Sequence, residues 1–365
     1  MNDIATSNAN DRSRVNDRLA SIWERVLQRS PIPQHANFFD LGGDSLLAVS
    51  LFLEIEREID QSLPITAIYD APTVATMAAL LEQPCIRKFT PLILLKAGVG
   101  DPIFIVHGVG GAVIELSQLG KAIRTQRPVY AIQAKGLDGV EEPFDSITAM
   151  ADYYLENIKE IQFRGPYLLV GYSFGGVVAF EMARRLSAKG EEIGLLVLLD
   201  SYTHPRSWPM NSRLSVWWRR ASRRISAVTE VPFAETTAYA LRRISDTARN
   251  LRTYGKPYGP RRFRIDPSLP AAVQRVFVSC EAALRRYEPC FYPGKVTFLR
   301  AATAVRYPSD PTKIWSHLVR ELEVHTVPGE HRELVRAHVD SLAARLSLCL
   351  ERVADRGNSF RALYR

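Results

Sequence analysis

Apolar positions divide the chain into two patterns. Over residues 14–83, Val15, Leu19, Ile22, Trp23 and Val26 recur at helical spacing and predict one amphipathic helix. A loop with Pro31, Pro33, Gly42 and Gly43 follows. A second helix is expected from Ser45 onward, with Leu46, Val49, Phe52, Leu53 and Ile55 as its apolar positions. Pro64 and Pro72 open two shorter helices, since proline suits the first turn. Four short helices with no strand pattern make this a small all-α unit. Residues 1–13 read as a flexible N-terminus, and 84–100 as a linker running into a strand-like Leu92–Leu95.

From Pro102 the pattern alternates. Strand-like runs at Ile103–Val106, Val129–Ile132, Tyr167–Gly171, Leu195–Leu199, Lys295–Leu299 and Leu322–Val327 are separated by helical stretches such as Ile147–Ile161, Val177–Ala188 and Glu333–Leu350. Such alternation predicts a mostly parallel sheet with crossover helices on both faces. Residues 206–265 interrupt it and read as an insert with helices around Leu214–Ser226 and Thr236–Leu251. Residues 353–365 form a C-terminal tail.

Composition narrows the class. The chain has 365 residues, 46% hydrophobic and 24% charged, which allows a large core and excludes wholesale disorder. The longest uncharged window, Gly165 to Phe180, is broken by five Gly and Pro residues and is too short for a spanning helix of about 20 residues. The polar N-terminus has no secretory h-region. Cys85, Cys280, Cys290 and Cys349 show no CxxC spacing. A cytoplasmic protein with no zinc site and no membrane partner is expected.

The net charge of +8 is unevenly placed. Residues 1–84 hold 6 Lys and Arg against 12 Asp and Glu, whereas 205–265 hold 14 against 3. Basicity confined to one insert is a poor nucleic-acid signature, so no nucleic-acid partner is expected. The split does pair an acidic face containing Glu54, Glu56, Glu58 and Asp60 with Arg219, Arg220, Arg223 and Arg224 of the insert as a candidate electrostatic contact.

The sharpest chemical signal is Gly171-Tyr172-Ser173-Phe174-Gly175-Gly176, set between a strand and a helix. That is the context of a nucleophile elbow, where glycines clear space for a tight turn that projects the serine hydroxyl. A serine needs a base and an orienting acid. Asp200 ends the next strand. His331 lies in a loop after the last strand, at the same sheet edge, and keeps the chain order Ser, Asp, His. His107-Gly108-Val109-Gly110-Gly111 follows the strand Ile103–Val106. The N–H groups of Val109 and Phe174 are therefore the candidate oxyanion hole, with His107 supporting the loop.

In the helical unit, Asp40-Leu41-Gly42-Gly43-Asp44-Ser45-Leu46 puts a serine at a helix start, which suits either a cap or an anionic modification. The stretch Asn37–Ser50 resembles the 4′-phosphopantetheine site of peptidyl carrier proteins. Residues 101–352 resemble the type I thioesterase domains that end nonribosomal peptide synthetases. The resemblance implies an all-α four-helix carrier domain at 14–83, then an α/β-hydrolase domain at 101–352 with a helical lid at about 206–265. It carries 4′-phosphopantetheine to Ser45, the nucleophile to Ser173, the acid to Asp200 and the base to His331. A phosphopantetheinyl transferase is implied as a partner. Because the chain opens on Met1 just before the carrier, an upstream acyl-loading enzyme (adenylation and condensation, or an acyl ligase) is expected to act in trans. The expected reaction is thioester hydrolysis in secondary metabolite biosynthesis. Macrocyclisation or acyl transfer is the alternative outcome, and a docking module with a non-catalytic hydrolase-like domain is the alternative class.

Overall fold

The structure, a computed structural model, describes residues 2–43, 45–61, 63, 67–82, 89–218, 269–304 and 307–363. The N-terminal part contains α1 (Asn2–Leu27), α2 (Ser45–Ile59), α3 (Ala67–Asp70) and α4 (Val74–Glu82). Leu19, Ile22, Trp23, Phe38, Leu51, Ile55, Ile68 and Met77 form its buried centre. Trp23 meets Phe38 edge-on at 5.3 Å. Helix α1 starts at Asn2, so residues 2–13, expected as a flexible N-terminus, are helical instead, because a helix nucleated by the apolar repeat extends at the gain of one hydrogen bond per residue.

Seven strands follow: β1 (Leu92–Lys96), β2 (Ile103–Val106), β3 (Val129–Ile132), β4 (Tyr167–Tyr172), β5 (Ile193–Leu199), β6 (Tyr292–Thr303) and β7 (Val319–Glu330). Their order in the sheet is β1-β3-β2-β4-β5-β6-β7. The β1–β3 pair is antiparallel and all the others are parallel. Strands β2 and β4 are buried at every position, as expected of central strands covered on both faces. Alternate residues feed two cores. Phe104, Val106, Leu169 and Phe298 face α6 (Ile147–Ile161), α7 (Phe174–Ala188) and α8 (Ala271–Arg286). Ile103, Ile105, Val170 and Val197 join the core that includes residues of α5 (Ser117–Ala122) and α10 (Val339–Leu363). A short α9 (Thr312–Trp315) precedes β7. No helix among the described residues is long and apolar enough to cross a membrane.

Other boundaries also differ from the sequence expectation: the last helix runs on to Leu363, so residues 353–363 of the expected C-terminal tail are helical. Strands β6 and β7 run to twelve residues each, because their ends pair with each other beyond the apolar runs. The last helix starts at Val339, since residues 331–338 make turns. Helix α8 is an addition to the expected elements. Of the insert, residues 210–218 are helical, and Arg219, Arg220, Arg223 and Arg224 lie outside the described residues. Glu54 and Glu58 are already engaged within the helical unit by Arg25 and Arg57, which weakens them as the face offered to the insert.

Candidate functional site

The parallel strands deliver three side chains to one edge of the sheet. Ser173 follows β4, Asp200 follows β5 and His331 follows β7. The β4 turn is tight: Ser173 has φ 54° and ψ −117°, a conformation that side chains rarely adopt. Neighbouring backbone holds it there, with the Ser173 N–H donating to the Leu199 carbonyl at 2.9 Å. A methyl group on Gly171 would run into the Gly175 carbonyl, and one on Gly175 into the backbone oxygens of Val106 and His107. Asp200, with φ 45°, is fixed likewise, donating its N–H to the Leu299 carbonyl at 2.8 Å.

The three side chains form one hydrogen-bonded line. Asp200 is 4% exposed; its Oδ1 accepts from the Ala301 N–H at 3.1 Å, and its Oδ2 lies 2.7 Å from His331 Nδ1. His331 Nε2 lies 2.9 Å from Ser173 Oγ. With Nδ1 donating to the carboxylate, Nε2 presents its lone pair to the serine hydroxyl. The His331 ring is also clamped by aromatic rings. Tyr172 stacks on it at 5.4 Å and donates its hydroxyl to the His331 carbonyl at 3.1 Å, while Tyr307 lies against it at 4.9 Å.

The oxyanion candidates sit where the β2 loop meets the elbow. Phe174 opens α7, whose first N–H groups have no partner within the helix. Its ring stacks on His107 at 5.8 Å, so the loop bearing Val109 packs against the turn bearing Phe174. His107 is fully buried, with Nε2 2.7 Å from the Tyr154 hydroxyl and Nδ1 2.5 Å from the Gly108 carbonyl. A carbonyl only accepts, so Nδ1 donates and Nε2 accepts from Tyr154. His107 thus braces the loop as a neutral ring.

Burial pushes His107 down from 6.5 to about 4. The unfolded chain then binds this proton at a higher pH than the folded one, so stability falls as pH drops from about 6.5 to about 4. At about 1.4 kcal/mol per unit, the shift is worth on the order of 3 kcal/mol. His204 is lowered to about 4 in the same way, by burial and then by Arg285 and Arg206. The variant His107→Gln is expected to lose less melting temperature between pH 7 and pH 4.5 than the unvaried protein. Equal losses in a thermal-melt series would show that His107 is not held neutral.

Ser45 opens α2, and the loop before it is held in place: Gly42 has φ +97°, and a methyl on Gly43 would collide with the Phe38 ring. Sequence reasoning overlooked Tyr172, Tyr307 and Tyr154. Tyr172, inside the elbow motif, was open to notice, whereas the other two are brought in only by the fold. Among the described residues no cluster of three or more His, Cys, Asp or Glu side chains is placed to hold a metal ion.

A doubly layered parallel sheet with a nucleophile elbow and a serine, histidine and aspartate in line is the arrangement of an α/β-hydrolase. The chain belongs to the thioesterase domain family, which it matches over residues 101–348, and it matches the phosphopantetheine attachment site family over residues 17–81. It is 34% identical over 228 residues to an indigoidine synthase of Streptomyces lavendulae, covering 62% of this chain and 18% of that protein. It is 36% identical over 200 residues to a dimodular nonribosomal peptide synthase of Bacillus subtilis, covering 54% of this chain and 8% of that one. The chain therefore spans less than a fifth of either relative. Among solved structures, the four-domain nonribosomal peptide synthetase holo-AB3403, bound to AMP and glycine, aligns over 92% of this chain and 26% of its own, with 21% identity and a TM-score of 0.56.

Proposed function

We propose that the chain holds an acyl or aminoacyl group as a thioester on Ser45 and releases it as a free acid through Ser173, His331 and Asp200. The observation that carries this reading is the unbroken line from Asp200 Oδ2 through His331 to Ser173 Oγ. In this reading residues 14–83 are the carrier, 84–100 the linker, and 101–352 the thioesterase with its lid at about 206–265. When attached to Ser45, 4′-phosphopantetheine supplies the thiol that bears the acyl group. The glycine-flanked start of α2 fits that attachment.

Ser173 Oγ adds to the thioester carbonyl carbon while its proton passes to His331 Nε2. The carbonyl electron pair moves onto oxygen, where the N–H groups of Val109 and Phe174 stabilise the charge. Collapse breaks the carbon–sulfur bond, and the sulfur leaves with the proton from His331. Water then adds to the Ser173 ester, giving its proton to His331. Collapse breaks the carbon–Oγ bond and returns that proton to Ser173. Asp200 keeps the His331 ring in the tautomer that both halves need. The His331 side chain is 18% exposed, so a nucleophile as small as water can reach it. A phosphopantetheinyl transferase and an acyl-loading enzyme in the cytoplasm complete the proposed cycle.

Intact-protein mass spectrometry tests the reading. After treatment with a phosphopantetheinyl transferase and an acyl-coenzyme A, the protein is expected to gain the acylated arm and then to lose the acyl mass alone. Ser45→Ala is expected to gain nothing. A mass gain in that variant would move the attachment elsewhere.

A further inference from the structure

The proposed reaction puts a positive charge on His331 each time Nε2 takes the proton of Ser173 Oγ. Water covers only a small part of the ring that bears this charge. Asp200 on its Nδ1 side and Tyr172 beside it are each 4% exposed. Desolvation of this kind disfavours a charged imidazole unless neighbouring groups stand in for the lost water. The Asp200 carboxylate does so at Nδ1, at 2.7 Å. That contact is made at the edge of the ring and leaves its faces to other partners. Tyr172 lies nearly parallel to the His331 ring, with 17° between the planes and 5.4 Å between centroids. Tyr307 stands against it at 59° and 4.9 Å. Both separations fall within the roughly 6 Å over which an aromatic ring attracts a cation.

Both tyrosines are held in place. Tyr172 ends β4 and donates its hydroxyl to the His331 carbonyl at 3.1 Å. Tyr307, between β6 and α9, stacks on Tyr202 at 4.8 Å with 11° between the rings. Tyr202 in turn donates its hydroxyl to the Pro308 carbonyl at 3.0 Å and meets Phe298 edge-on at 5.3 Å. A run of rings thus leads from the core to His331. Burial pushes the Tyr172 hydroxyl well up, and Glu115, Tyr307 and Asp200 add to it against Arg332. Tyr172 therefore stays a neutral phenol, whose ring face carries the negative part of its quadrupole.

We infer that Tyr172 and Tyr307 are cation–π partners of the reaction, their rings stabilising the His331 imidazolium that forms as Ser173 adds to the thioester. The proton leaves Ser173 Oγ for Nε2 while the bond from Oγ to the carbonyl carbon forms. The attraction is therefore weak in the neutral resting ring and grows toward the transition state. An interaction with that timing lowers the barrier and leaves substrate binding unchanged. The inference rests on the proposed release reading and adds to it two side chains that transfer no proton themselves.

The test uses the full chain with Tyr307→Phe as reference, and with phenylalanines bearing one, two or three ring fluorines introduced at position 307 by codon suppression. Fluorine withdraws electron density from the ring face and nearly keeps its size, so packing is retained while the cation–π attraction is lost. The substrate is a butanoyl thioester of N-acetylcysteamine. Thiol release in the first turnover is followed, because that step forms the imidazolium. Its maximal rate is expected to fall with each added fluorine, reaching about tenfold below Tyr307→Phe with three. The half-saturating concentration and the melting temperature are expected to stay constant along the series. Tyr172→Leu is expected to lose about tenfold in the same rate, and Tyr172→Phe, which keeps the ring face, to recover most of it. A rate independent of fluorine number, or losses confined to the half-saturating concentration, would overturn the inference while Ser173-dependent release stands. Hydrolysis that survives Ser173→Ala would overturn the release reading itself, and the role of the two rings with it.

Discussion

Ser173→Ala, His331→Ala and the double variant are expected to lose nearly the same activity, on the order of 10⁴-fold or more, because residues acting as one unit are strongly non-additive. The structural reason is the single line of contacts. Without Ser173 the 2.9 Å bond has no nucleophile to activate, and without His331 the serine has no base within reach. Asp200→Asn is expected to lose less, although it is buried, since it acts by holding the ring through the 2.7 Å bond. The measurement is single-turnover release from the acylated carrier, with the acyl mass of Ser173→Ala remaining on Ser45. Rapid release in Ser173→Ala, or a double variant weaker by the product of the single losses, would sink the assignment.

Gly175→Ala is expected to be nearly as damaging, through backbone rather than chemistry. Its new methyl would meet the carbonyl oxygens of His107 and Val106, which are main-chain atoms at the end of a central strand. Neither can rotate away, so the β2 loop and the elbow must separate. That separation moves the Val109 N–H away from the Phe174 N–H. Losing one oxyanion donor typically costs 10²–10³-fold in kcat. A drop of that size on a small free thioester, with a lower melting temperature, is the expected result. Unchanged kcat would mean that the two loops do not act together on the oxyanion.

Much of this arrangement is legible in the sequence because a parallel sheet writes its edge into the chain. The parallel strands all end at the same side, so Ser173, Asp200 and His331 are recognisable as residues that follow strand-like runs. The central strands are readable because Ile103–Val106 and Tyr167–Val170 are continuously apolar, as burial on both faces requires. Helix α8 is harder to see: it buries Val273, Val276, Cys280 and Ala283, but Val278 on the same helix is exposed, so its apolar pattern is broken. Of the His331 clamp, only Tyr172 lies within a recognisable motif. Tyr307 lies outside every motif, and only tertiary packing brings it against His331.

The order of the strands also sets a timetable. The serine comes from β4 and the acid from the end of β5, but the base follows β7, 158 residues after Ser173. Synthesis runs from the N-terminus, so the carrier helices are complete while the sheet still lacks its last edge strand. A chain halted before Val319 would contain Ser45 and Ser173 but lack His331, the proposed base. On the proposed assignment, cargo placed on Ser45 at that stage would have no Ser173-dependent route of release until the final strand is laid down.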